Sequence, residues 1–265
     1  MWNSLSGRQL SILRSFHLDN KIAIVTGAAR GIGRAIAIGL AQAGADLFLV
    51  DRDSSEETAK DIGKMGRRCG TDVLDISGMN KAIAKGVIDQ CVAELGGFNI
   101  LVNNAGIIRR SPALEFSEQD WQQVLDINLN SVFFLSQAAA MYFVGKKQAG
   151  KIINLASMLS FQGGLNVTSY TAAKSAIMGL TRALGNEWAY HSINVNAIAP
   201  GYFITDVTNG IRENPERNQA ILERIPAGRW GEPEDIKGTV VFLASAASDY
   251  IQGSVIPVDG GWLAR

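Results

Sequence analysis

Cysteine and histidine are nearly absent, with two of each in 265 residues. Cys69 and Cys91 offer no disulfide framework and no metal-ligand spacing, so no metal is expected and a reduced, cytoplasmic compartment is the simpler reading. An excess of one charge is missing too. The 25 lysines and arginines balance 25 aspartates and glutamates, leaving no net field to gather nucleic acid or an anionic membrane surface. No apolar run is expected to approach the roughly 18 residues that span a bilayer. Residues 1–17 carry Arg8 and Arg14 and no acid, but lack the apolar stretch and cleavage site of a signal peptide. They are expected to be an N-terminal extension to one large domain over residues 18–265.

Apolar residues are plentiful at 47%, which suits a compact fold with a substantial core. They gather in short β-branched runs: "KIAIVT", "DLFLV", "NILVNN", "KIINLAS", "INVNAIA" and "SVIPVD", with "RRCGTDV" as a weaker member. Long helical patterns separate them. Strands apolar on both faces and alternating with helices predict parallel pairing, hence a seven-stranded doubly wound α/β sheet with helices on both faces. No linker divides the chain. Residues 203–230 are polar, carry Pro215 and Pro226, and lie past a strand end, where an active-site lid is expected.

"VTGAARGIGRAIA" follows the first run and opens the first helical pattern. Gly27, Gly31 and Gly33 would let the backbone turn tightly against a pyrophosphate, and the helix start offers free N–H groups. The spacing is G-x-x-x-G-x-G, so the signal rests on its placement between strand and helix. Asp51 ends the second strand, where a carboxylate accepts from ribose hydroxyls and repels a 2′-phosphate, favouring NAD over NADP. Arg30 and Arg52 oppose that preference, since a guanidinium can pair a phosphate. Asp72 and Val73 suit an adenine edge and face. All of these stretches, with "NNAG" at residues 103–106, fall at the carboxyl ends of strands.

Tyr170 and Lys174 stand four apart in "SYTAAKS", on one helix face. A nearby cation favours a phenolate, so Lys174 is expected to lower the Tyr170 pKa and make it a usable acid/base. Ser157, in "NLASMLS", lies on the same rim and could hold the substrate oxygen. Its rival role as an acyl nucleophile lacks a nucleophile elbow and a supporting histidine motif. Asn128, in "DINLNSVF", could bridge Lys174 to water through its amide.

Together "TGAARGIG", "NNAG", Asn128, Ser157, "YTAAK" and the "PG" at Pro200 resemble the short-chain dehydrogenase/reductase family, over nearly the whole chain from about His17. The resemblance implies a single-domain Rossmann fold and a catalytic set of Asn128, Ser157, Tyr170 and Lys174. Tyr170 would be the acid/base, Ser157 would orient the substrate oxygen, Lys174 would bind the nicotinamide ribose, and Asn128 would keep a relay water. It also implies that Asn104, Ala105 and Gly106 line the ribose region, that Ile32 flanks the diphosphate, and that Pro200, Gly201 and Thr205 edge the nicotinamide. A homotetramer is implied as well.

"AGIIRRSPALEFSEQDW", "INLASMLSFQGG", "IPAGRWGEPEDI", "FLASAASDYIQG" and "VDGGWLAR" are further similar to the family's sugar-acid dehydrogenases of the 2-dehydro-3-deoxy-D-gluconate and gluconate types. A sugar acid brings a carboxylate, and either Arg109 or Arg110 could pair it. Met158, Gln162 and Trp230 are further pocket candidates. A 3-oxoacyl-thioester (acyl-carrier-protein) reductase shares the same catalytic set. A non-catalytic nucleotide sensor would be expected to lack Tyr170 or Lys174, and both are present.

Overall fold

The computed structural model describes residues 11–265. The first ten residues of the expected N-terminal extension lie outside the described residues. Of the rest, Ile12–Phe16 form a short 3-10 turn whose Phe16 ring lies 6.1 Å from that of Phe242.

Seven parallel strands pair in the order β3-β2-β1-β4-β5-β6-β7, as the alternating pattern predicts. They are β1 (Ile22–Thr26), β2 (Asp46–Asp51), β3 (Cys69–Val73), β4 (Ile100–Asn103), β5 (Gly150–Leu155), β6 (Ile193–Pro200) and β7 (Val255–Val258). The helices are α1 (Gly31–Gln42), α2 (Glu56–Lys64), α3 (Lys81–Leu95), α4 (Glu118–Leu125), α5 (Ser131–Lys146), α6 (Thr168–Trp188), α7 (Asn209–Arg212), α8 (Pro215–Arg224) and α9 (Lys237–Ala244).

The period-two geometry of the strands divides the core between two faces. Ala23 and Val25 of β1, Leu47 and Leu49 of β2, and Ile100 and Val102 of β4 pack with α1, α2 and α9. The intervening Ile24, Phe48, Val50 and Leu101 pack with α3 and α5. Every residue of β4 is buried, which is why these runs are apolar throughout instead of alternating.

Helices α4 and α5 are joined through a π-helical turn, Asp126–Asn130. The continuous run Glu118–Lys146 reaches a mean hydropathy of 1.3 in an 18-residue window. Contrary to the sequence expectation, it is long and apolar enough to cross a membrane by length and composition. Half of that window is buried inside the fold, as in a core helix.

Residues 203–230 contain α7 and α8. Asn214 caps α8 by accepting from the Arg217 N–H at 3.0 Å, with Pro215 at the first helical position. Ile221 and Ile225 of this segment pack with Met158, Trp230 and Trp262 in a small core of their own.

Candidate active site

Strand order reverses between β1 and β4, so the loops leaving their carboxyl ends diverge and open a crevice. The glycine loop turns over it with Gly27 and Gly31 at φ of +69° and +56°. At Gly33 a side chain would collide with the Gly27 carbonyl and the Asn104 amide. Asn104 shapes this loop: its Nδ2 donates to the carbonyls of Thr26 at 2.9 Å and Gly27 at 3.0 Å. The N–H groups of Asn104 and Ala105 both donate to the Thr26 hydroxyl at 3.1 Å.

Asp51 is engaged in a similar way, accepting from Ala29 N–H at 2.9 Å and Asp53 N–H at 3.1 Å. Asn104 and Asp51 therefore hold the loop itself, although Asp51 keeps further lone pairs for a ribose. Arg30 pairs with Asp53 at 2.9 Å and reaches Asp206 at 3.6 Å, and Arg52 approaches the same Asp53 at 3.7 Å. Burial, and then the Glu94 charge, raises the Asp72 carboxyl, while Val73 stays 64% exposed beside it. The Thr205 methyl lies 3.7 Å from where a Gly31 side chain would begin, and Ile32 packs on the core. Gly201, after Pro200 at the end of β6, donates to the Val258 carbonyl at 2.9 Å. A helix start with free N–H groups, a cradle that side chains would fill and carboxylates beyond it fit a dinucleotide.

Farther along the rim, Ser157 leaves β5 and caps the 3-10 turn Met158–Ser160. Ser160, which the sequence reading does not single out, ties two candidates together. Its hydroxyl accepts from Ser157 N–H at 3.3 Å and donates to the Lys174 carbonyl at 2.6 Å. The Lys174 ammonium donates to the Leu155 carbonyl at 2.6 Å and lies 5.6 Å from the centre of the Tyr170 ring.

Asn128 is fully buried in the π turn. Its Nδ2 donates to Ile107 and Val124 carbonyls, both at 2.9 Å, and its Oδ1 accepts from Ile107 N–H at 3.2 Å. A Gly106 side chain would begin 2.5 Å from that Oδ1 and 3.8 Å from the Lys174 ammonium, so only glycine leaves the space between them open.

The expected effect of Lys174 on the phenol is corrected here. Burial pushes the Tyr170 phenol up; a hydrogen bond with Ser157 and then the Arg110 charge pull it back. Burial likewise pulls the Lys174 ammonium down to about 8. Both groups share one desolvated pocket, and removal of water disfavours the charged form of each.

The two candidate arginines separate. Arg109 is held by Gln123 at 2.9 Å and by Asp120 at 3.2 Å, which ties it to α4. Arg110 is the one whose charge reaches both Tyr170 and Tyr202. Met158 and Trp230 are buried in the small core under α8, and the Trp230 indole donates to Asn218 at 2.8 Å. Gln162 accepts from Arg224 at 3.2 Å. Tyr202, Arg217, Arg224 and Trp262 also stand here and are absent from the sequence reading. The Asn-Pro start of α8 is a legible signal for the helix that carries two of them.

A parallel doubly wound sheet with a glycine loop at its switch point and a Ser-Tyr-Lys constellation on the same rim defines a nucleotide-dependent oxidoreductase. Residues 27–263 match the family described as enoyl-(acyl carrier protein) reductase. The chain belongs to the short-chain dehydrogenase/reductase family and is an NAD(P)-dependent oxidoreductase. It is 54% identical over 254 residues to the 2-dehydro-3-deoxy-D-gluconate 5-dehydrogenase of Escherichia coli (strain K12), covering 96% of this chain and all of that one. A solved structure of a putative 2-deoxy-D-gluconate 3-dehydrogenase from Agrobacterium tumefaciens, with bound NADP, is 52% identical. It superposes with a TM-score of 0.89, covering 95% of this chain and 99% of that one. A gluconate 5-dehydrogenase from Burkholderia cenocepacia, solved with NADP and tartrate, is 37% identical with a TM-score of 0.90, covering 96% and 99%.

Proposed function

We propose that this protein interconverts a secondary alcohol and a ketone on a sugar acid of the 2-dehydro-3-deoxy-D-gluconate or gluconate type. The observation that carries the reading is the Tyr170 phenol, hydrogen-bonded with Ser157 and within reach of the Arg110 charge. An alcohol-handling pair with a cation near it suits a hydroxy acid. Full-length relatives with that activity in their names support it.

When bound, the nicotinamide supplies the hydride acceptor or donor. The chain's own residues do the rest. Ser157 holds the substrate oxygen, and Tyr170 takes or gives its proton. A phenol raised by burial is protonated near neutral pH and ready to donate to a ketone. Lys174 holds the nicotinamide ribose. Asn128 has one Oδ1 lone pair beyond its Ile107 contact, facing the space kept open at Gly106, and there it holds a relay water. The diphosphate falls to Gly27, Gly31, Ile32 and Gly33, and Ala105, Pro200, Gly201 and Thr205 edge the remainder.

For the cofactor we favour NAD, on Asp51 at the end of β2. NADP in the Agrobacterium and Burkholderia relatives weighs on the other side, with Arg30 and Arg52 as its phosphate partners. We also propose a cytoplasmic homotetramer whose domain spans residues 18–265, with residues 203–230 as its lid. Exposed Trp121, Met141 and Val144 on α4 and α5 suit the subunit contact. The test is a reduced-nicotinamide absorbance screen offering NAD and NADP against deoxy-keto aldonates, aldonates, neutral polyols and a β-ketoacyl thioester. Turnover of the acids is expected. Turnover of the thioester alone would replace the reading with acyl-carrier reduction.

A further inference from the structure

The small core beneath α8 is apolar inside, with Arg224 stacked at its edge. On a helix, residues four and seven apart share a stripe, so Arg217, Ile221 and Arg224 form one face of α8. Ile221 is buried among Met158, Trp230 and Trp262, which turns that face toward the turn that Ser157 caps. The Arg224 guanidinium stacks 4.1 Å from the centre of the Trp262 ring and donates to Gln162, five positions after Ser157. Trp262 in turn lies 4.9 Å from the Tyr202 ring, edge to face.

Three positive charges act on Tyr202. Burial raises its phenol, and Arg217, Arg224 and Arg110 each pull it back. Among the described residues none of these arginines has an acidic partner within ion-pair distance. Without an acidic partner, these exposed guanidiniums are open to an arriving anion. The Trp262 indole N–H is buried in the same cluster without a partner. The planar guanidiniums match a carboxylate, which can accept from two of them at once.

We infer that Arg217 and Arg224 of α8 join Arg110 to seat the carboxylate of the substrate, so that the 203–230 segment selects acids over neutral polyols. The inference rests on the sugar-acid reading above and adds the residues that recognise the acid end.

The test compares 2-dehydro-3-deoxy-D-gluconate with its carboxamide, which keeps the shape and removes the charge. The readout is the ratio of kcat/KM for acid to amide in wild type, Arg217→Gln, Arg224→Gln and Arg217→Lys. Each glutamine variant should lower that ratio about tenfold or more, since it removes a charged hydrogen bond to the carboxylate. Arg217→Lys should recover part of the loss. In wild type the KM for the acid should rise with ionic strength while that for the amide stays level. Thermal melting checks the fold of each variant, and the ionic-strength arm needs no variant. A ratio unchanged within about twofold in both glutamine variants, with wild type still turning over the acid, overturns this inference and leaves the sugar-acid reading standing. A wild type that ignores both compounds takes both down.

Discussion

Replacing Lys174 with methionine should remove turnover yet leave the fold at least as stable as wild type near neutral pH. Lys174 keeps 4% of its surface exposed, and burial lowers its ammonium from 10.5 to about 8. At about 1.4 kcal/mol per pKa unit, holding the charged form costs the fold roughly 3 kcal/mol. Methionine fills the same stem volume without that cost. It also leaves the Leu155 carbonyl without the donor now 2.6 Å away, a loss of about 1–3 kcal/mol. The balance favours methionine by about 0–2 kcal/mol. The sign of the pH dependence follows from a depressed folded pKa. Between about 8 and 10.5 the unfolded chain binds more protons, so this group's cost to wild type is full below the window and is relieved as pH rises through it. Urea titrations at fixed protein concentration should show the variant's advantage falling by about 2 kcal/mol from roughly pH 7 to roughly pH 9.5. Destabilisation beyond about 2 kcal/mol at the lower pH, or a difference that does not move with pH, would refute the reasoning.

Tyr170→Phe should lower kcat about 10²–10⁴-fold while NAD(P)H binding, read by fluorescence titration, changes little, because only the proton path is lost. Gly33→Ala should abolish cofactor binding and lower the melting temperature, since the added methyl meets the Gly27 carbonyl and the Asn104 amide; normal NAD(P)H titration would count against the assigned cradle. Arg110→Ala should raise KM for carboxylated substrates more than for neutral polyols. Arg109→Ala should leave that ratio alone and cost about 0–1 kcal/mol of stability through its lost Asp120 and Gln123 contacts, so a swap of the two outcomes would reverse their assignment.

The sheet was legible because its signals are local. β-Branched runs, glycine turns and capped helices depend on neighbours within a few positions, and all seven expected strands formed. The glycine loop and the one-turn spacing of Tyr170 and Lys174 were legible for the same reason. The charge state of that pair was not. Sequence shows a phenol and an ammonium on one face and predicts mutual support; the folded pocket strips water from both and moves them the other way. Asp51 and Asn104 read as ligand contacts, yet the fold first uses them to hold the glycine loop. Arg109 and Arg110 are adjacent and equivalent in sequence, and only the position of α4 separates them. Composition and periodicity by themselves determined the architecture and the rim on which chemistry could occur. Burial and long-range pairing decided which side chains remain available there, because desolvation and ion-pair partners come from segments distant in the chain.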